Sequence, residues 1–256
     1  MPPPRPDGLL YAIGDVHGCA DLLRNALAWI AEDMAEIGDA ATIVLLGDYI
    51  DRGERSAEVL EIVRALSERP SVVALKGNHE AMMEAFLADP AGQGPRWIRG
   101  GGAQTLANFG ISNLTKTDPP AQFSAAAEAL RAALPDGLEA WLETRPAWWR
   151  SGNLICAHAG LDPALPPEAQ TDAVALWGHP AFLRRPRQDG CWVAHGHFIV
   201  DTATARDGRI ALDTGAYATG RLAVGAFGPD AVRLREITLA GRDWDRALPG
   251  GTSGVG

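Results

Sequence analysis

Aspartate, asparagine, histidine and arginine stand beside glycine at five places in this chain. These are Gly14-Asp15-Val16-His17-Gly18, Gly47-Asp48-Tyr49-Ile50-Asp51-Arg52-Gly53, Gly77-Asn78-His79-Glu80, His158-Ala159-Gly160 and His195-Gly196-His197. Asp15, His17 and Asp48 offer two carboxylates and an imidazole; Asn78, His158 and His197 add an amide oxygen and two more imidazoles. A mixed oxygen and nitrogen set without thiolate suits Mn, Fe or Zn rather than a soft metal or calcium. So many ligands exceed the needs of one ion, and two ions sharing a carboxylate about 3.5–4 Å apart are the natural solution. Two divalent ions, two carboxylates and one hydroxide leave a small positive charge. Arg52 adds to it, which matches a phosphomonoester dianion. One loop aspartate is ordinarily a turn or cap residue; five such clusters, each closing an apolar run, are a different signal.

Those clusters need elements that bring them to one place. Leu9–Ile13, Thr42–Leu46 and Val72–Leu75 read as strands, and Asp21–Glu36, Ser56–Glu68 and His79–Ala88 as amphipathic helices. The alternation predicts βαβ units and a parallel sheet. The polar clusters then gather at its carboxyl edge, where open α/β sheets place their ligands. From about 89 to 150 the chain is Ala-rich and helical (Ala121–Leu134, Gly137–Glu143), with a glycine turn at Gly100–Gly102. It reads as a helical insertion over one sheet edge. The last third is strand-rich, at Leu154–Cys156, Trp192–Ala194, Ile210–Leu212, Leu222–Phe227 and Val232–Ile237, and residues 170–184 read as a short helical piece. Residues 9–243 are expected to form one domain, with 1–8 and 245–256 as flexible tails.

Composition excludes several classes. The chain has 256 residues and a net charge of −9 from 23 basic and 32 acidic side chains. That balance supplies no excess of Lys and Arg for wrapping nucleic acid. Its length allows a proper core. No apolar run approaches the roughly 18 residues of a membrane span, and the start lacks the apolar stretch of a signal peptide. Cys19, Cys156 and Cys191 show no CxxC spacing, so neither a disulfide framework nor a thiolate zinc site is expected. A cytoplasmic protein is expected, without nucleic-acid or membrane partners and working as a monomer. Cys19 and Cys156 read as packing residues, as does Trp148-Trp149.

GDVHG, GDYIDRG, GNHE, HAG and GH, in this order, resemble the calcineurin-like metallophosphoesterases. More narrowly they resemble the phosphoprotein phosphatases, the Ser/Thr protein phosphatase family, in its short bacterial form. The resemblance spans about residues 9–240. Trp97, Gly101-Gly102, Thr105-Leu106 and Asp213-Thr214-Gly215-Ala216-Tyr217 also match bacterial members. It implies a four-layer α/β/β/α sandwich, here with a helical insertion, and two divalent ions, with Mn²⁺ expected and Fe or Zn as alternatives. By position, Asp15, His17 and Asp48 would hold the first ion. Asp48, Asn78, His158 and His197 would hold the second, with Asp48 bridging. Arg52 would grip the phosphate, because a guanidinium fork fits its oxygens. His79 would be the general acid for the leaving alkoxide, oriented by Asp51, which raises its pKa. His195 is read as a neighbour of the ligands rather than a ligand. The implied reaction is in-line attack of a bridging hydroxide on phosphorus.

One departure stands out. Bacterial members commonly carry a Leu-Trp-Ile-Arg segment whose arginine gives a second phosphate contact. Here the segment is Leu176-Trp177-Gly178-His179-Pro180, so His179 takes that place unless Arg184 or Arg185 reaches in. The expected substrate is a phosphorylated protein or peptide. The rival is a symmetrical diadenosine tetraphosphate hydrolase, a group that usually has Ala where Asp51 stands and GNHD where GNHE stands. The remaining alternative is a degenerate phosphatase kept as a binding module.

Overall fold

Three short apolar runs each end at a glycine and turn into a helix. In the computed structural model they are β1 (Leu9–Ile13) into α1 (Ala20–Ile37), β2 (Ala41–Leu45) into α2 (Ser56–Leu66) and β3 (Val72–Ala74) into α3 (Asn78–Ala88). The structure describes residues 1–228 and 231–240, and the backbone of 244–247. The three strands are parallel. α1 is helical because Leu22, Leu23, Ala26 and Ile30 recur on one buried face. It stops at Gly38, whose φ of 81° only glycine takes freely.

The insertion is built from α4 (Pro90–Trp97), α5 (Ala103–Asn108), α6 (Pro120–Ala133) and α7 (Leu138–Glu143). Between α4 and α5 the predicted glycine turn is a π-helical turn over Ile98–Gly102, kinked at Gly101. The insertion ends before residue 150, because Trp148–Ser151 is a strand, β4. It opens a second sheet with β5 (Leu154–Ala157), β6 (Trp192–His195), β7 (Thr204–Arg206) and β8 (Arg209–Ala211), in the order β4-β5-β6-β8-β7. Within it, α8 (Asp172–Trp177) follows β5. After the short α9 (Ala216–Thr219), the chain returns to the first sheet as β9 (Arg221–Phe227), β10 (Val232–Thr238) and β11 (Trp244–Ala247). That sheet runs β11-β10-β9-β1-β2-β3.

Alternation along the strands makes the layers. Leu10, Ala12, Val44 and Leu46 face Cys156, Ala194 and Ile210 in a core between the sheets. Tyr11, Ile13 and Leu45 point the other way, onto α1, α2 and the insertion. Ile155, Ala157 and Val193 back onto Leu161, Ala175 and Phe182 outside the second sheet. Helices, sheet, sheet and a thin helical layer give the expected α/β/β/α arrangement. Trp148 and Trp149 pack on opposite faces of the second sheet, and Cys156 lies in the inter-sheet core.

The chain start departs from the reading as a loose tail. Asp7 N donates to Ser151 Oγ at 2.8 Å, Gly152 N to Asp7 Oδ2 at 2.8 Å, and Trp192 Nε1 to Pro2 O at 2.7 Å. Proline composition suggested mobility, but these bonds lay the segment against the β4–β5 turn. At the other end, residues 245–247 belong to β11; the rest of the expected tail, and residues 241–243, lie outside the described residues. No helix among the described residues is long and apolar enough to cross a membrane.

Candidate active site

The carboxyl ends of β1, β2 and β3 deliver Asp15, His17, Asp48, Asp51, Arg52, Asn78 and His79, and the ends of β5 and β6 deliver His158 and His197. The sheets therefore form two walls of one site. Their loops interlock: Val16 N and His17 N both donate to Asp48 O, at 3.1 and 2.8 Å, and Gly196 N donates to His158 O at 2.9 Å. Among the described residues seven non-glycine positions have positive φ, and His17, Asp48, Asp51, Arg52 and His197 are five of them. Such strained backbone persists where surrounding structure over-determines it, commonly at functional sites. Gly196 is required by crowding, since a Cβ there would sit 1.8 Å from Asp15 Oδ1.

Asp48 lies at the centre, and its two oxygens face different partners. Oδ2 lies 3.4 Å from His17 Nε2 and 3.8 Å from His79 Nε2; Oδ1 lies 3.4 Å from His158 Nε2. Two groups of candidate ligand atoms follow, each within 4.8 Å: His17, Asp48 and His79, and Asp48, His158 and His197. Both share Asp48, as a bridging ligand would. Asn78 Oδ1 belongs beside the second, 2.8 Å from His158 Nε2 and 2.7 Å from His197 Nδ1. Asp15 stands next to them: its Oδ2 accepts from His197 N at 2.9 Å. The sequence placed His79 outside the ligand set, yet its ring reaches the same carboxylate oxygen as His17.

The donor set fits divalent cations. Asp15 Oδ1 is buried and has no hydrogen-bond partner. Burial, then Asp213 and Asp48, push the Asp15 carboxyl well above its usual range. Such an orphan costs free energy unless a cation meets it. His17 and His158 give Nδ1 to the carbonyls of Ile50 and Leu46 at 2.8 and 2.9 Å, which leaves each Nε2 lone pair aimed inward. Burial depresses His17 to about 3 and His197 to about 4, so both stand as neutral imidazoles, the form that binds metal. Burial alone would raise Asp48, but His158 and His79 beside it and the His79 backbone N–H, which donates to Oδ1 at 3.0 Å, outweigh it and hold the carboxyl below its usual range.

Two residues that the sequence reading left without a structural role hold this centre. Glu80 is fully buried, and its carboxylate accepts from the backbone N–H groups of Asp48 (2.9 Å), Tyr49 (2.8 Å), Ile50 (3.3 Å) and Gly77 (2.9 Å). It pins the β2 and β3 loops together behind Asp48. Asp213 is buried near Asp15 and accepts from Gly215 N at 2.9 Å. The signals were present, in the GNHE and DTGAY segments, but which groups they bond depends on the fold.

Asp51 and His79 form a close pair, with His79 Nδ1 2.6 Å from Asp51 Oδ2. Asp51 also accepts from Trp97 Nε1 at 2.9 Å and Thr105 Oγ1 at 2.6 Å. Burial would lower His79, but Asp48 and the Asp51 hydrogen bond raise it above its ordinary value. The Arg52 guanidinium nitrogens lie 3.2 Å from His17 Nε2 and 3.1 Å from His79 Nε2, and the guanidinium stands 4.9 Å from the Tyr217 ring centroid.

His179 does not join them. Its Nδ1 accepts from Ala181 N at 3.2 Å and lies 3.7 Å from Asp162 Oδ1, and none of its hydrogen bonds or ion pairs is with a residue of the site. Gly178 takes a backbone of φ 81° that swings the chain away after Trp177. Position along the segment therefore does not by itself tie His179 to the site. His195 is buried against Phe182 and Phe198, donates Nδ1 to Gly196 O at 2.9 Å, and belongs to neither ligand group.

Comparison with known proteins gives a consistent picture. A family model described as calcineurin-like phosphoesterase matches residues 9–232. A symmetrical bis(5'-nucleosyl)-tetraphosphatase from Methylococcus capsulatus is 32% identical over 155 residues, 60% of this chain and 44% of that protein. The match thus spans less than half the length of that relative. Serine/threonine-protein phosphatase 2 from Salmonella typhimurium is 28% identical over 227 residues, 83% of this chain and 90% of that protein. Among solved structures, a provisionally assigned diadenosine tetraphosphatase superposes with a TM-score of 0.58 at 19% identity, covering 96% of this chain and 97% of the other. A cold-active protein-tyrosine phosphatase of Shewanella superposes with a TM-score of 0.56 at 15% identity, covering 93% and 80%. These likenesses show the fold.

Proposed function

This chain belongs to the calcineurin-like phosphoesterase family, a family of metal-dependent hydrolases, and from that premise we propose that it is a phosphomonoester hydrolase acting as a serine/threonine protein phosphatase. The observation that carries this reading is the Asp51–His79 pair beside Arg52. Cleaving an alkyl phosphate requires a proton for a poor leaving group. An imidazole whose pKa is raised by neighbouring buried carboxylates is suited to supply it.

Asp15, His17, Asp48, Asn78, His158 and His197 would hold two divalent ions, Mn²⁺ in our reading. When bound, such ions lower the pKa of an associated water and neutralise phosphoryl oxygens. The chain's own groups do the rest. Arg52 presents its N–H groups toward the equatorial oxygens. Glu80 keeps Asp48 in register. His79 releases its Nε2 proton to the leaving oxygen, and Asp51, fixed by Trp97 and Thr105, holds the ring through Nδ1. A cytoplasmic monomer acting on a phosphorylated protein or peptide, without nucleic acid or membrane, goes with this reading.

A second reading is a symmetrical diadenosine tetraphosphate hydrolase, favoured by the 32% identity over 155 residues. The longer coverage of the phosphatase relative and the presence of both Asp51 and Glu80 support the first reading. Turnover of a phosphoserine peptide and of diadenosine tetraphosphate, measured side by side with Mn²⁺, decides between them. Chelation should abolish either activity and Mn²⁺ restore it. Preference for the tetraphosphate would overturn the protein phosphatase reading, and full activity in metal-free protein would overturn both.

A further inference from the structure

His179 is bonded to Ala181 N and stands beside Asp162. An arginine meets the segment just before it. The Arg96 guanidinium, on the last turn of α4, lies 4.5 Å from the centroid of the Trp177 ring. Trp177 remains 38% exposed, a large aromatic surface kept at the rim. Arg96 is exposed, as is Arg99 one turn on, and neither pairs with a carboxylate among the described residues. In a chain of net charge −9, two exposed guanidiniums stand three residues apart at the end of α4 and the turn after it.

Their position relates them to the site. Four residues beyond Arg96, Gly100 O accepts from Arg52 Nε at 3.5 Å, and a Cβ on Gly100 would lie 3.7 Å from His79 Cε1. The turn that follows Arg96 thus runs beside Arg52 and His79. On the opposite wall Gly178, next to Trp177, lies under Phe198, and the Phe198 ring is 4.8 Å from that of His197. The Arg96–Trp177 contact therefore joins the insertion, on the His79 side, to the second sheet, on the His197 side. Stacking on an indole engages the face of the guanidinium and leaves its N–H edge free. An arginine so held binds an anion with little further loss of side-chain freedom.

We infer that Arg96, oriented by Trp177, is a substrate-binding residue that grips a second anionic group next to the scissile phosphate. That group is a carboxylate flanking a phosphoserine or a second phosphoryl. The inference rests on the phosphoesterase reading of the neighbouring site and adds a substrate preference to it.

The test uses the full chain with Mn²⁺. One arm compares kcat/KM for a phosphoserine peptide with Glu beside the phosphoserine and for the same peptide with Gln. The other compares diadenosine tetraphosphate with an aryl phosphate. In at least one arm the wild type should prefer the substrate with two anionic groups, and Arg96→Gln should reduce that preference about tenfold through KM, the size of one charge-assisted hydrogen bond. Trp177→Ala should reduce it in the same direction, and Trp177→Phe, which keeps a ring, should restore it. The arm that responds identifies the anion as carboxylate or phosphoryl. Unchanged preference in both arms overturns the inference, as does a loss found in Arg184→Ala and absent from Arg96→Gln. A wild type inert toward the aryl phosphate sinks the phosphoesterase reading and this inference with it. An active wild type without an Arg96 effect sinks this inference alone.

Discussion

The Trp97 indole N–H donates to Asp51 Oδ2 at 2.9 Å, and the same oxygen lies 2.6 Å from His79 Nδ1. A residue of the helical insertion thus shares one carboxylate oxygen with the proposed acid. Trp97 is fully buried and packs on Phe86, so its ring has a structural role that is separable from its N–H. Trp97→Phe keeps most of the packing and removes the donor. A net hydrogen bond of about 1 kcal/mol corresponds to roughly a fivefold fall in kcat on a phosphoserine peptide. Steady-state kinetics with a matched melting curve separate this from loss of fold.

His79→Asn should slow alkyl esters more than aryl esters. Loss of a general acid commonly costs about 10²–10⁴-fold, and nitrophenolate leaves without the proton that a serine alkoxide needs. Equal losses on phosphoserine peptide and nitrophenyl phosphate would assign His79 to the ligand group it shares with His17 and Asp48.

Glu80→Gln should destabilise the protein before it affects chemistry. The carboxylate faces four backbone donors, and an amide turns one of its two oxygens into a further donor. Leaving buried donors unmet costs about 1–3 kcal/mol, so Tm should fall by several degrees, at about 2–4 °C per kcal/mol for a chain near this size. The Mn²⁺ concentration needed for half-maximal rate should rise as well, since the Asp48 loop loses its anchor. An unchanged Tm would show that the four bonds are not maintained in solution.

Away from the site, α1 is tied to the first sheet by Asp33. It accepts from Tyr11 Oη at 2.5 Å and from Arg233 Nη1 at 2.6 Å. The Arg233 hydrogen bond holds the Asp33 carboxyl below its usual value, aided by Tyr11 and against burial. A depressed folded-state pKa contributes stability that is present above the unfolded value of about 3.9 and is lost as pH falls through the folded value. Wild type should therefore exceed Asp33→Asn in urea stability at pH 7, with the gap closing below pH 4. A gap that persists undiminished at pH 2 would mean that ionisation of Asp33 is not its source.

Much of this was legible from the sequence because chemistry and turn coincide: a glycine, a polar cluster and an apolar run mark each strand end by local pattern alone. Asp15, His17, Asp48, Asn78, His158 and His197 meet where that pattern places them. What the pattern missed depends on long-range packing. The Glu80 bonds depend on two loops that meet only across the β2–β3 pair. Trp148–Ser151 is a strand because β5 is there to pair with it. The bonds of His179, to Ala181 N and beside Asp162, depend on the turn at Gly178 with its positive φ, which the segment's pattern does not carry. The Pro-rich start bonds to residues near 152, a relation no local composition carries.

The two walls of the site have a consequence for the order of synthesis. Asp15 and His197, joined by a 2.9 Å hydrogen bond, are 182 positions apart along the chain. β1–β3 emerge from a ribosome before β5 and β6, and β9–β11, which complete the first sheet, emerge last; domains form as units once their contacts are all available. Until His158 and His197 arrive, Asp15 and Asp48 have no opposite face to be buried against, and their carboxylates stay in water. The candidate ligand set is therefore assembled only when both sheets are in place.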